Sequence, residues 1–151
     1  MPAQIDPRGP RFAAALTAVV LAVVLLGAAG PIAIALLGAQ AVLFAIGAAL
    51  GVQQTPHAWL FRSLLRPRLG PPKELEDAAP PRFAQGVGLV FSSVGLAALL
   101  TGATTVGLVA VGLALVAALL NAAVGLCLGC ELYLWWARLR PAVSRPARPG
   151  A

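Results

Sequence analysis

Charge is scarce in this chain. Of its 151 residues only 11% are Asp, Glu, Lys or Arg, while 60% are hydrophobic. A soluble domain is typically about 25% charged and about 45–50% apolar, and in a short chain most residues lie near the surface. So much apolar surface cannot be hidden from water, which excludes an ordinary soluble domain and leaves the membrane. Histidine occurs once, as His57, and acidic residues number five. A lone histidine with no G-x-S-x-G excludes a Ser-His-acid triad, and neither H-E-x-x-H nor a phosphate-cradling glycine loop is present. The two cysteines are too few for a disulfide scaffold. Structural zinc needs four thiolate or imidazole ligands, so neither a metal nor another cofactor is expected.

What charge there is has one dominant sign, a formal net +6. Nucleic-acid binders carry such an excess as a face or stripe. Here it is confined to the segments between apolar runs, so no nucleic-acid partner is expected and the lipid bilayer is the partner that composition names. Four runs stand out: Phe12–Ala29, Ile32–Val52, a third centred on Val87–Leu100, and Val106–Trp136. A membrane span needs about 20 apolar residues at 1.5 Å rise per residue. The predicted spans are 12–29, 32–52, 83–101 and 106–130, with a connecting loop at 53–82, an N-terminal tail at 1–11 and a Pro/Arg-rich tail at 141–151. The first run exceeds the usual signal-peptide core of about 7–15 residues and meets Pro31 where cleavage would fall, so it is read as a retained span.

The eleven basic residues fall in three places. Arg8 and Arg11 precede the first run. Arg62, Arg66, Arg68, Lys73 and Arg82 lie between the second and third. Arg138, Arg140, Arg145 and Arg148 follow the fourth. The turns at Gly30-Pro31 and Thr101–Thr105 carry no charge. Four spans put the three basic segments on one side and both turns on the other, and Lys and Arg are retained on the cytoplasmic side. The expected fold is therefore an all-α membrane protein of four transmembrane helices arranged as two helical hairpins, with both termini cytoplasmic, in the inner (plasma) membrane. Within the loop, "PHAWLFRSLLRPRLG" reads either as a short helix in the membrane interface or as a loop covering the end of the bundle.

Chemistry concentrates in "GLCLGCELYLWW", Gly125–Trp136. The fourth run would measure about 46 Å as one helix, more than a hydrocarbon core of about 30 Å. It must therefore emerge from the membrane or break near Asn121–Gly125. A continuous helix puts Cys127 and Cys130 near the cytoplasmic boundary, with Tyr133, Trp135 and Trp136 as an interfacial belt and Arg138 and Arg140 reaching the head groups. Glu131 then shares the face of Cys127, and a carboxylate beside a helix C-terminus disfavours a thiolate. A break near Asn121–Gly125 reverses the sign, because Cys127 would then sit beside the free amides of a new helix. Cys127, Cys130 and Glu131 are the candidate catalytic residues.

"IDPRGPRFAAALTA", "EDAAPPRFAQGVG" and "NAAVGLCLGCELY" together resemble a bacterial integral membrane family catalogued as domain of unknown function 4395. The likeness runs from Ile5 to Arg140. It implies a small multi-span helical protein in which Cys127, Cys130 and Glu131 belong together, and it supplies no activity. Two functions are in contention. One is thiol–disulfide or sulfur relay with a cytoplasmic thioredoxin-like or sulfurtransferase partner. The other is a non-catalytic scaffold or small transport subunit, alone or as an oligomer, in which the cysteines only pack.

Overall fold

Long charge-free runs leave the backbone one way to satisfy its amides in lipid, which is to bond within the segment. The computed structural model, which describes residues 3–27 and 30–139, shows four such helices. They are α1 (Arg8–Leu26), α2 (Pro31–Leu50), α5 (Ala79–Leu100) and α6 (Thr104–Val124), each long and apolar enough to cross a membrane. Pro31 opens α2 at a position where a missing N–H costs nothing. Pro80 and Pro81 enter the first turn of α5 for the same reason. The Arg140 and 141–151 tail expectations lie outside the described residues.

The helices form two hairpins packed side by side, with α2 against α5 and α1 against α6. Leu21, Val24, Ala33, Leu37, Leu99 and Val111 make the core. Only 22–28% of each span is buried, so most of the helical surface faces outward. That surface is apolar, with residues such as Val19, Val42, Val94 and Leu113 exposed. This is the reverse of a soluble bundle and fits lipid as the solvent.

Small residues set the spacing between helices. A Cβ placed on Gly88 would stand 2.7 Å from the Phe44 ring, one on Gly47 would meet Gln85, and one on Gly95 would touch Leu37. That antiparallel register carries Gln40 of α2 to the level of Ser92 of α5. Both are buried. Gln40 Nε2 donates to Thr17 Oγ1 of α1 at 3.3 Å, whereas Gln40 Oε1 and Ser92 Oγ have no partner. Membrane interiors tolerate a few such groups between small-residue helices.

The N-terminal tail, the loop and the end of α6 meet at one end of the bundle. Strand β1 (Gln4–Ile5) pairs antiparallel with β2 (Glu76–Asp77), Gln4 opposite Asp77 and Ile5 opposite Glu76. Arg8 donates to the Leu69 and Gly70 carbonyls and pairs with Asp6. That hydrogen bond holds the Asp6 carboxyl below its usual range. The loop is largely helical: α3 (Pro56–Leu60), a π-helical turn over Phe61–Leu65, and α4 (Arg66–Leu69). Thr55 caps α3 through its hydroxyl, which accepts from the Ala58 amide at 3.2 Å. Phe61 points inward onto Phe12, ring centroids 5.9 Å apart, while Trp59 and Leu64 remain exposed. The segment thus both covers the bundle end and presents an apolar, arginine-flanked outer face. His57, at its start, is half-buried, and that burial pushes its pKa down.

Candidate functional site

The fourth span breaks. Helix α6 ends at Val124, and Gly125 adopts a left-handed conformation at φ 74°. The Gly125 amide donates to the Asn121 carbonyl (3.0 Å) and the Leu126 amide to the Leu120 carbonyl (3.3 Å), so the last carbonyls are capped in the usual glycine manner. Two residues later a new helix, α7 (Leu128–Leu139), begins. The expected span reached residue 130; the membrane-length helix stops six residues sooner, and the cysteines lie beyond it.

The break decides the electrostatics of the pair. Cys127 is the residue before α7, and its carbonyl accepts the first helical bond, from Glu131 N at 3.0 Å. Its Sγ accepts from the Cys130 amide at 3.4 Å. A sulfur thus occupies the place that a Ser or Asp oxygen takes in an N-cap. Cys127 and Cys130 are joined as a disulfide, with Cα atoms 5.1 Å apart, inside the common range of about 4.4–6.8 Å. Both residues are half-buried, and Leu128 and Glu131 beside them are exposed. Free amides and the positive end of the helix dipole favour negative charge on sulfur, the arrangement used by low-pKa thiols. Asn121 lies within the last turn of α6, where its carbonyl accepts from the Gly125 amide.

Helix α7 packs across the start of α5 rather than along α6. Gly129, between the two cysteines, is pressed against Ala84: a Cβ there would stand 2.6 Å from the Ala84 Cβ and 2.7 Å from its Cα. One turn later Tyr133 meets Phe83 (ring centroids 5.7 Å), and Trp136 stacks on the same ring at 6.4 Å. Leu132, Trp135 and Leu139 face outward. The pair is therefore carried by a short helix clamped to the bundle through its own central glycine.

Arg11, read from the sequence only as a topology-setting charge, also belongs to the site. Its Nη2 donates to the Ala123 carbonyl at 3.4 Å, and its Cζ lies 3.5 Å from where a Gly125 Cβ would be. The guanidinium caps the end of α6 and places positive charge two residues before Cys127. The two are more than a hundred positions apart, so no spacing rule could have joined them. Glu131, the third expected site residue, lies in the first turn of α7, where an acidic group suits the dipole. Among the described residues the one ion pair is Arg8–Asp6, and Glu131 is in none. No group of three or more His, Cys, Asp or Glu able to hold a metal is found among the described residues.

Residues 5–138 match the family described as a domain of unknown function (DUF4395). No curated protein and no solved structure matches the chain. The matched stretch contains all four spans, the hinge at Gly125 and the cysteine pair, and the chain belongs to the DUF4395 family.

Proposed function

We propose that the protein performs thiol–disulfide exchange or sulfur relay at the edge of the inner membrane, on its cytoplasmic side, with a thioredoxin-like or sulfurtransferase partner. The observation that supports this reading is the position of Cys127 at the N-terminus of a separate helix, with Cys130 one turn on and the pair already bridged. The cytoplasmic assignment rests on the arginines clustered at this end of the bundle. Cys127, as thiolate, attacks a disulfide sulfur of the partner; the partner's other sulfur leaves as thiolate, and Cys130 then displaces the partner from the mixed disulfide.

The test is capture. With Cys130→Ser the mixed disulfide at Cys127 persists, and a non-reducing gel of native membranes shows a discrete adduct that dithiothreitol removes. The adduct is absent with Cys127→Ser. Failure of Cys130→Ser to trap a partner, with cell phenotype unchanged when both cysteines are Ser, favours the packing role instead.

A further inference from the structure

The helical loop segment that follows Thr55 is fastened to α1 at two points. Phe61 is buried against Phe12, and its ring lies 3.6 Å from where a Gly9 Cβ would be. Further on, Arg8 donates to the Leu69 and Gly70 carbonyls. Gly9 and Phe12 belong to the first turns of a span, so the segment lies at the depth where α1 leaves the hydrocarbon for the head groups. Proline shapes its middle. Pro67 has no N–H and its ring crowds the carbonyl four residues back, so the helix widens and the Arg66 amide donates to the Phe61 carbonyl. The face turned outward mixes apolar and cationic groups. Trp59 is 63% exposed, Leu64 52% and Leu69 49%. Arg62, Arg66, Arg68 and Lys73 are exposed among them, and no acidic residue occurs between Arg62 and Lys73. Among the described residues none of the four is in an ion pair; Asp6, whose carboxyl feels Arg66, is already paired with Arg8 at 2.8 Å.

We infer that this face binds the head groups of anionic phospholipids in the surrounding leaflet. Charge complementarity selects the occupant. A neutral lipid would cover Trp59, Leu64 and Leu69 and leave four cations unmatched. An acidic protein or a free anion would match the cations and leave the apolar side chains in water. An anionic lipid satisfies both, with acyl chains against the apolar groups and phosphate against the guanidinium groups, which can bond it in bidentate fashion. Four to eight cations in a segment next to a span, or on an amphipathic helix, is the usual pattern for such recognition. Trp at the interface adds an anchor, because its ring is apolar while its N–H reaches the head-group water. The attachment to α1 matters as well. Phe61 and Arg8 hold the segment in place without lipid, so its arginines are already gathered when a head group arrives and little ordering entropy is lost. This surface owes nothing to the cysteine pair, and the inference stands apart from the thiol function proposed above.

The experiment reads lipid contact at Trp59. Trp135→Phe with Trp136→Phe leaves Trp59 as the one tryptophan of the full-length chain. The protein is reconstituted into phosphatidylcholine vesicles containing increasing amounts of either phosphatidylglycerol or phosphatidylcholine brominated on the acyl chains near the head group. Quenching of Trp59 gives the relative affinity of the two lipids for this face. Phosphatidylglycerol is expected to be preferred by about fivefold or more, since a single cation near the surface contributes about that factor. The preference should shrink in high salt. It should fall to about one when Arg62→Gln, Arg66→Gln and Arg68→Gln are combined, and survive when the same three are changed to Lys, which keeps the charge. Equal quenching by the two lipids at low salt overturns the inference. So does a preference that persists in the Gln variant, which places the selecting charge elsewhere. A Trp59 quenched by neither lipid also overturns it, and leaves the face open to water and to an acidic soluble partner.

Discussion

A cysteine at the head of a helix is held in a different field from one inside it. Cys127 has the Cys130 amide on its sulfur and the Arg11 guanidinium over the neighbouring Gly125, and both favour the thiolate. In the reduced protein its pKa is expected below that of a free cysteine, about 8.5, and below that of Cys130. The pH dependence of iodoacetamide alkylation in the two single-Ser variants reads this directly. Arg11→Gln should raise the Cys127 value and Arg11→Lys should largely restore it, which a purely structural cap would not require. The cysteines and Glu131 were legible as a cluster in the sequence. The contribution of Arg11 was not, because it depends on α1 and α6 lying side by side.

The hinge and α7 form the next level up. Gly125 takes a φ of 74°, a conformation that costs other L-residues roughly 1–2 kcal/mol, so the break is written into one residue. Gly129 has the opposite reason for being glycine: it is helical and crushed against Ala84. Gly129→Val must therefore push α7 off α5. The expected result is loss of the Tyr133 and Trp136 contacts with Phe83, seen as a shift in tryptophan fluorescence, and proteolytic nicking between α6 and α7. The four spans survive, since they pack without α7. Run length alone announced that the fourth segment was too long for one crossing. Whether it emerged straight or broke depended on a local hydrogen-bond pattern at Gly125, to which hydropathy is blind.

For the molecule as a whole, the N-terminal tail and the arginine-bearing loop are tied together by a strand pair and by Arg8, and the chargeless turns lie at the far end. One-sided placement of the basic segments follows from this geometry; which compartment they face is the positive-inside reading. An impermeant maleimide added to intact cells is expected to leave Cys127 and Cys130 unmodified after mild reduction, and to label them once the membrane is opened. Labelling from outside would invert the orientation and with it the choice of partner.

Length, composition and the spacing of arginines were enough to settle that this is a four-span helical bundle with its charge at one end, because the cost of burying charge or unpaired backbone in lipid overrides local preference. Packing decided the rest. Only the folded chain shows that the thiols head a separate helix, that Arg11 caps the end of α6 just before it, and that α7 is clamped on α5. Each of these is a contact between distant segments, set by which small residues let helices approach and not by any pattern along the chain.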